Sequence, residues 1–485
     1  MKKSKKIKQL EEGLTFDDVL LKPQYSQVDS RRQVSLKTKI SPHITLNLPI
    51  ISANMDTVTE SAMAIAMARA GGLGIIHRFL PIEKEVEEVQ KVKRAENFVV
   101  EEPFVVEPNF TLRKVKELSK KHDVQTFVVV NKERKVLGIL TKRDYLFEKD
   151  ETKLVKELMT PRSRLIVADR GTSLEKAQEI FKKNKVEKLP LVDKNDCLLG
   201  LITAKDILNH LNSLAVRDKK GRLMVGAAVG IKDDYLERAQ ELVKAEVDLL
   251  VVDVAHGHLD ACLKAVQTLK KRFPHIDLMA GNVATKEGAL DLKRAGADSI
   301  KVGVGGGSVC LTRIKTGAGV PQLSAVFEAK KGAGETPIIS DGGIRNSGDI
   351  VKALAAGASA VMVGMLLAGT DESPGEVINW NDKRVKIYRG MASFGAKMER
   401  EAKIKRSSVE NFSMTDFVSE GADQVFIPYR GRVEEILSQL AGGIRSGFSY
   451  CGAKDLKELW QKAEFIKITG AGLRESGLHD VFLAN

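Results

Sequence analysis

Residues 301–326 read KVGVGGGSVCLTRIKTGAGVPQLSAV, in which a strand-like beginning leads into a glycine-rich loop and a cysteine. The glycines between 303 and 307 tolerate positive φ angles and let a ligand or an ion approach the backbone closely. Cys310 follows this loop, which removes bulk around the thiol and can aim N–H groups or carbonyls at a bound molecule. An isolated cysteine is usually a buried structural residue, but the whole stretch favours a nucleophile.

Strands and helices alternate on both sides of this loop. The strand patterns lie in segments 48–60, 73–77, 247–258, 276–284, 298–304, 336–344 and 359–364. Their continuous apolar cores are typical of parallel sheets, and the helices between them end in Ala-Gly-Ala, which puts glycine at the αL position. Polar or glycine residues follow the strands, namely Asp253, Asn282, Cys310, Asp341 and Gly364. We therefore predict an α/β fold, a (β/α)8 TIM barrel with its site at the C-terminal strand ends.

The pattern changes between about residues 96 and 214. Two similar segments occur there, VLGILTKRDYL at 136–146 and LLGLITAKDIL at 198–208, and the offset of about 62 residues suggests tandem modules. We expect the first part of the barrel in 1–95, an inserted tandem module in 96–214 and the remainder of the barrel in 215–485.

Composition limits the partners. A chain of 485 residues with 43% hydrophobic and 29% charged residues is typical of a soluble globular protein of two or three domains. The net charge of +13 suits a phosphate-bearing ligand or nucleic acid. Aromatic residues are only 5% and do not interleave with basic runs, so nucleic-acid binding is not favoured. The basic N-terminal segment MKKSKKIK is better interpreted as a solvated, frayed end than as a nucleic-acid arm.

The sequence also bears on compartment. It contains neither a signal peptide nor an apolar run of membrane-spanning length. Its cysteines have no metal-type or C-x-x-C spacing: Cys197, Cys262, Cys310 and Cys451. We expect a cytoplasmic, reduced protein without a membrane partner.

Two motifs carry a resemblance that extends over nearly the whole chain. LTFDDVLL at 14–21 and GGSVCLTR at 306–313 resemble the IMP dehydrogenase/GMP reductase family, in which proline is usual where Gly306 stands. The resemblance implies that the Cys310 thiolate adds to C2 of a purine nucleotide, dividing a difficult substitution into two easier steps. It also implies that Thr312 and Glu420 transfer protons; the alternative for Glu420 is an ordinary surface carboxylate.

The substrate site follows from the same resemblance. Glycine N–H groups in DGGI (341–344) and VGMLLAGT (363–370) can bind a phosphate near the last two barrel strands. DGG by itself reads as a tight turn, and Met365 stands where dehydrogenases of the family usually have serine. Asp341 is expected to hold the ribose hydroxyls. The full set of expected substrate residues is Ser52, Met55, Ser308, Asp341, Gly343, Gly364, Tyr388 and Met391.

Cofactor binding is expected at two other strand ends. VDVAHGH (252–258) and GNVAT (281–285) resemble the nicotinamide-side residues, with Asp253 and Asn282 as the contacts for NADPH or NAD+. The sequence VGVGGGS lacks the third glycine of G-x-G-x-x-G, so a Rossmann interpretation is weak.

Metal binding has two candidate sets of residues. His256 and His258 suit a metal, but no third ligand has matching spacing, which favours structural roles. The resemblance instead implies a K+ site that a neighbouring chain completes, in a homotetramer or octamer. The residues for this site are Gly305, Gly307, Cys310, Glu475, Ser476 and Gly477.

The inserted repeats resemble a pair of CBS motifs, a Bateman module. In such motifs, residues at the positions of Thr141 and Asp144, and of Thr203 and Asp206, often hold the ribose of an adenine or guanine nucleotide. The alternative is a structural insert without a ligand.

A mobile flap at about 391–431 bears on the reaction. Dehydrogenases carry an Arg-Tyr pair there whose arginine is the base toward water, whereas 394–421 contains none; Arg400 and Arg406 are not followed by tyrosine. This favours a GMP reductase, which converts GMP and NADPH to IMP, ammonia and NADP+. The tail GLRESGLHDV (472–481) instead resembles IMP dehydrogenase, which converts IMP, NAD+ and water to XMP and NADH. A nucleotide-sensing protein with weakened catalysis is a third interpretation.

Overall fold

The computed structural model describes residues 10–95, 99–100, 102–122, 124–205, 207–208, 214–404 and 418–477, leaving aside the side chains of 401–404. Asp206, Arg406, the flap segment 405–417 and the tail residues 478–481 lie outside the described residues. The chain forms two compact units. One contains the residues up to Ala95, 214–218 and those from Leu223 onward; the other contains 96–213 and 219–222.

Eight parallel strands of the first unit close into a barrel. In sheet order they are Gly226–Val229, Leu249–Asp253, Asp277–Val283, Ser299–Val302, Ile338–Asp341, Ala360–Val363, Ile50–Ser52 and Leu73–Ile76, and the last pairs with the first. The predicted (β/α)8 TIM barrel is therefore confirmed. The strand Gly226–Val229 is the one barrel strand that the sequence pattern did not indicate.

Helices and short hairpins surround the barrel. The helices are Ser61–Arg69, Ile82–Arg94, Tyr235–Lys244, Asp260–Arg272, Lys286–Ala295, Thr312–Thr316, Gln322–Ala333, Ser347–Ala355, Met365–Ala368, Phe394–Ile404, Val433–Tyr450, Leu456–Lys462 and Gly470–Glu475, with 3-10 turns at Phe16–Asp18 and Arg31–Gln33. The additional strands are Val19–Leu21 paired with Phe465–Lys467, Thr38–Lys39 paired with Thr45–Leu46, and the antiparallel set Ile378–Trp380, Lys383–Tyr388 and Val425–Pro428.

Local signals explain where these helices begin and end. The Thr285 hydroxyl accepts the Gly288 N–H and caps the helix Lys286–Ala295 at its first residue. Gly296 follows that helix at φ +103°, and Gly357 follows the end of the helix Ser347–Ala355 at φ +111°. Because a side chain is strained at these angles, the predicted glycine stops are required by the backbone.

Alternation along the strands separates an inner core from an outer one. Leu249 and Val251 belong to a cluster inside the barrel, whereas Leu250 and Val252 pack with the surrounding helices. Successive side chains of a strand point to opposite faces. Asp253 therefore continues the inward-facing register at the C-terminal end of its strand. The lower barrel is filled by apolar side chains, and the upper end is left to polar ones.

The second unit contains two small sheets. Their strands, in order, are Thr160–Pro161, Val136–Thr141, Thr126–Val130 and Val105–Val106 in one sheet, and Lys188–Val192, Leu198–Thr203 and Val99–Val100 in the other. Its helices are Leu112–His122, Lys142–Tyr145, Val155–Leu158 and Leu174–Asn184, with a 3-10 turn at Arg162–Arg164. Across the part of the chain described, no helix is both long and apolar enough to cross a membrane.

Candidate active site

A cavity of about 460 Å³ opens at the C-terminal ends of the barrel strands. Its volume lies in the range of small-molecule sites, and its position is the one that TIM-barrel enzymes use. Most of the predicted site residues line it: Met55, Asp253, Asn282, Gly305, Gly307, Ser308, Cys310, Thr312, Asp341, Gly343, Gly364, Tyr388, Met391 and Glu420.

Cys310 is joined to a hydrogen-bonded pair. Its thiol donates to Thr312 Oγ1 at 3.2 Å, and the Thr312 hydroxyl donates to Glu420 Oε2 at 2.8 Å. The backbone holds this geometry, since Leu311 N donates to Glu420 O at 2.6 Å and Ala422 N donates to Val309 O at 2.9 Å. The structure thus brings Glu420 to Cys310 and Thr312, which lie about 110 positions earlier in the chain.

A buried lysine, Lys301, connects the two predicted carboxylates. Its Nζ lies 2.7 Å from Asp253 Oδ1 and 2.7 Å from Asp341 Oδ2, and its side chain is only 3% exposed. Burial alone would lower the pKa of Lys301, but the two carboxylates raise it well above its usual range. Burial likewise opposes ionisation of Asp253, yet Lys301 and Arg78 hold its pKa below the ordinary value.

Sequence reasoning missed Lys301. The signal that could have found it was its inward register, because its apolar neighbours Ile300 and Val302 both pack in the outer core. A lysine between two such residues must face the barrel interior.

Asn282 is oriented by the same cluster. Its amide Nδ2 donates to Gly303 O at 2.8 Å and to Asp341 Oδ2 at 3.0 Å. Its Oδ1 is buried without a hydrogen-bond partner among the described residues. A free acceptor beside Asp253 fits a ligand that carries an amide donor, as a nicotinamide carboxamide does.

In the opposite part of the cavity, glycines let a ligand come close to the backbone. A Cβ on Gly364 would lie 2.8 Å from Tyr388 Oη and 3.2 Å from Met55 Sδ, so a larger residue would have to displace these side chains. Gly343 adopts φ +76°, which also favours glycine. Burial raises the pKa of Tyr388 to about 12, although its hydrogen bond with Ser308 opposes this. The phenol is neutral at physiological pH and can donate to an anion.

Some predicted residues lie elsewhere. Ser52 is fully buried below the cavity, accepts a hydrogen bond from Thr59 Oγ1 at 2.8 Å and is not among the lining residues. Glu475 ends the helix Gly470–Glu475, and the Ser476 hydroxyl donates to Gly472 O at 2.8 Å. His258 Nε2 lies 3.0 Å from Asp291 Oδ2. Among the residues described, His, Cys, Asp and Glu side chains form no group of three or more that could hold a metal.

Helix Phe394–Ile404 is fixed to the barrel through Arg389. This guanidinium lies 2.5 Å from Asp56 Oδ2 and 2.6 Å from Glu399 Oε2. Met391 lines the cavity, and its Sδ accepts the Asp56 N–H at 3.3 Å. The beginning of the predicted flap is therefore a helix anchored beside the cavity.

Comparison with known proteins identifies the family. Residues 13–479 match the family described as "IMP dehydrogenase / GMP reductase domain". The chain belongs to this family.

The similar relatives of this family member carry both names. An inosine-5'-monophosphate dehydrogenase of Nitrosopumilus maritimus is 50% identical over 478 residues, covering 98% of this chain and 100% of the relative. A GMP reductase of Leishmania donovani is 46% identical over 484 residues, covering 97% and 98%. A solved structure of a Trypanosoma brucei GMP reductase variant with guanosine 5'-monophosphate is 45% identical, has a TM-score of 0.81 and covers 98% of this chain and 99% of that one.

Membership of the family makes this chain an NAD(P)-dependent oxidoreductase that acts on a purine nucleotide. The relatives divide between dehydrogenases and reductases. The reaction of this member must therefore be argued from its own residues.

Proposed function

We propose that this enzyme is a GMP reductase, which converts GMP, NADPH and a proton to IMP, ammonia and NADP+. The proposal rests on the groups that are available for proton transfer at Cys310. In the part of the chain that the structure describes, Thr312 is the one side chain hydrogen-bonded to the Cys310 thiol, and it leads to Glu420. The segment 394–421 lacks the Arg-Tyr pair that water activation would use.

The proposed steps balance around Cys310. Sulfur adds to C2 of the guanine, a C2–S bond forms, and the C2–N bond breaks as ammonia leaves. The thiol proton passes through Thr312 and Glu420 to the leaving nitrogen, which would otherwise depart as a poor leaving group. After hydride reaches C2, the C2–S bond breaks, IMP is released and the thiolate regains a proton.

The cofactor NADPH supplies that hydride when it is bound. The free Oδ1 of Asn282 and the carboxylate of Asp253 fit its nicotinamide end. Lys301 orients both through its contact with Asp253 and with Asp341, to which Asn282 also donates.

The substrate is proposed to lie across the glycine motifs. Ser308, Gly343, Gly364 and Tyr388 would bind its phosphate, and Asp341 its ribose. Met55 and Met391 would contact the base from the cavity wall. Ser52 is better assigned to supporting Met55 and its loop, because it is covered and bonded to Thr59.

IMP dehydrogenase is the second candidate. Dehydrogenases from Nitrosopumilus maritimus and Aquifex aeolicus are 50% and 51% identical, against 46% for the Leishmania reductase. Nicotinamide absorbance distinguishes the two reactions in parallel assays with GMP plus NADPH and with IMP plus NAD+, both with potassium. NADPH consumption with ammonia release is the expected result. NADH production from IMP would instead contradict the reductase.

The covalent mechanism has its own test. Cys310→Ala should lower kcat by about 10⁴-fold or more while GMP still binds, because the nucleophile is lost and the binding groups remain. Glu420→Gln should lower kcat by roughly 10²-fold to 10⁴-fold with little change in GMP affinity. Turnover that survives in Cys310→Ala would exclude the covalent adduct.

Three further features are proposed on resemblance. Carbonyl oxygens suit K+, so the loop of Gly305, Gly307 and Cys310 would bind it together with Glu475, Ser476 and Gly477 of a neighbouring chain in a homotetramer or octamer. The unit containing 96–213 would act as a CBS module for an adenine or guanine nucleotide. Thr141 there already donates to Asp144 Oδ2 at 2.8 Å, a pairing that a ribose would have to share.

A further inference from the structure

Two arginines approach the same aromatic ring at the edge of the cavity. The guanidinium carbon of Arg78 lies 5.4 Å from the centroid of the Phe79 ring, and that of Arg400 lies 5.5 Å from it. Arg78 and Phe79 both line the cavity. Two like charges are thus gathered on one small surface of the proposed active site.

Neither guanidinium is neutralised by a direct partner within the described residues. The Nε atoms of Arg78 and Arg400 are buried and make no hydrogen bond there. Arg389, by contrast, is paired directly with the carboxylates of Asp56 and Glu399. Asp253 and Glu85 act on Arg78 through their charges alone, and the repulsion between the two arginines is costly unless an anion joins them.

The electrostatics of Arg78 agree with this geometry. Burial lowers the pKa of Arg78, and the nearby charge of Arg400 lowers it further, while Asp253 acts in the opposite direction. A bound anion would offset the repulsion between the two arginines and stabilise the charged form of Arg78.

The position of the pair identifies which anion it would meet. Arg78 interacts electrostatically with Asp253, the residue proposed for the cofactor end of the cavity. The nucleotide phosphate has its own site at Gly343, Gly364 and Tyr388. An anion beside Asp253 therefore belongs to the dinucleotide.

The two arginines come from separate elements. Arg78 follows the barrel strand Leu73–Ile76, and Arg400 lies on the helix Phe394–Ile404. Glu399, the residue before Arg400, contacts Arg389 at 2.6 Å and so ties that helix to the barrel. Because the planar guanidinium group is preorganised, an anchored arginine loses less entropy when it binds a phosphate.

We propose that Arg78 and Arg400 form a phosphate subsite for the dinucleotide cofactor, with Phe79 as the ring that positions both guanidinium groups. The inference rests on the proposed function only for the identity of the cofactor. The phosphate is either the diphosphate, which NADH and NADPH share, or the 2′-phosphate, which only NADPH carries.

Binding titrations separate these sources without turnover. The enzyme is saturated with IMP and titrated calorimetrically with NADPH or with NADH, a combination in which neither the reductase nor the dehydrogenase can react. Arg78→Gln and Arg400→Gln should each weaken NADPH binding about tenfold to a hundredfold, because each removes a charge-assisted contact. An equal loss for NADH assigns the diphosphate; an unchanged NADH affinity assigns the 2′-phosphate.

Arg272→Gln is the matched control. Arg272 is an exposed arginine whose guanidinium carbon lies 5.8 Å from the centroid of the Phe273 ring. Its substitution removes the same charge at a position away from the cavity. IMP affinity and the thermal unfolding midpoint of each variant report whether the fold is intact. Arg78→Lys keeps the charge and should retain more affinity than Arg78→Gln.

Dissociation constants within twofold of wild type for both cofactors, or an equal loss in Arg272→Gln, would overturn the subsite. A fall in kcat alone in Arg400→Gln would also overturn it, since that result would indicate a catalytic base. The two proposals fail separately. If the wild type does not oxidise NADPH in the presence of GMP while the affinity losses persist, the reductase proposal is wrong and the subsite stands.

Discussion

Two buried lysines, each held between two aspartates, lie at opposite ends of the barrel. Lys301 contacts Asp253, the last residue of the strand Leu249–Asp253, and Lys93 contacts Asp248, which immediately precedes that strand. The side chains of the two lysines are 3% and 5% exposed. A buried lysine between two aspartates therefore occurs both at the cavity and at the opposite end of the barrel.

The two clusters differ in what their carboxylates hold. Lys93 Nζ lies 2.6 Å from Asp248 and 3.0 Å from Asp218, and Asp248 also accepts the Val225 N–H at 2.8 Å. That cluster connects a helix, a linker and a strand start. The Lys301 cluster instead lines the cavity, where its carboxylates face a ligand. In this protein, therefore, the buried ion cluster with a proposed role in function is the one that borders the cavity.

Among substitutions in the two lysine clusters, Lys301→Met should have the largest effect on activity. It removes the cation between two carboxylates beside the substrate and the cofactor, and we expect kcat/KM to fall about 10²-fold to 10³-fold. Steady-state kinetics with both substrates varied measures this loss. The barrel should remain folded, because water in the cavity solvates the freed carboxylates. Unchanged kinetics would show that Lys301 is structural like Lys93.

Lys93→Met should have the largest effect on stability. Removing one partner of a buried ion cluster costs about 3–5 kcal/mol of unfolding free energy, and the folded enzyme should keep its kinetic constants within about twofold. Chemical denaturation followed by residual activity tests both statements. Lys91→Met is the control, since Lys91 lies on the same helix, is exposed and pairs only with Glu88 among the described residues; it should cost under about 1 kcal/mol.

The pH dependence of stability should differ between the two ends of the strand. Burial raises the pKa of Asp248 from 3.8 to about 6, against the opposing charge of Lys93. The folded state then holds a proton that the unfolded state releases, so this group's contribution declines as pH rises from about 4 to about 6, by about 3 kcal/mol, and is constant above. Asp253, whose pKa is lowered, contributes in the opposite sense and loses its contribution as pH falls.

Asp248→Asn makes this dependence measurable. Denaturation midpoints of the wild type and the variant, compared between pH 4 and pH 7, should show the wild type losing its relative stability as pH rises. A difference that is independent of pH would mean that Asp248 ionises normally in the folded protein.

The smallest predicted effects separate the two carboxylates of the cavity cluster. Asp253→Asn should raise the KM for NADPH about tenfold with little change for GMP, and Asp341→Asn should do the reverse, because each loses one charge-assisted contact with its own ligand. Full kinetic surfaces for both variants are the measurement. Equal changes for both ligands would show that Lys301 couples the two sites too strongly to assign them separately.

The barrel could be predicted from sequence to the extent that its strands are apolar. Segments such as 249–253 are continuous runs of leucine and valine, which indicate buried parallel strands without any tertiary information. Gly226–Val229 reads Gly-Ala-Ala-Val and carries no such signal. It becomes a strand because the barrel must close between Leu73–Ile76 and Leu249–Asp253.

The candidate site was partly predictable for a similar reason. Motifs placed Cys310, Thr312 and Asp341 at strand ends, since local spacing is visible in a sequence. Lys301 and Arg78 were missed because the sequence does not show which way their side chains point. That direction depends on strand register for Lys301 and on the loop after the strand for Arg78. Ser52 was predicted among the substrate residues; its burial and its hydrogen bond with Thr59 depend on packing that spacing does not reveal.

The sequence by itself determined the alternation of strands and helices, the glycine stops and the loop before Cys310, because these depend on periodicity and local backbone preference. Only the tertiary structure decided that Glu420 reaches Thr312 across 108 positions, that Lys301 joins Asp253 to Asp341, and that Arg400 shares Phe79 with Arg78. These contacts depend on barrel closure and strand register. Both properties belong to the whole chain and to no single segment.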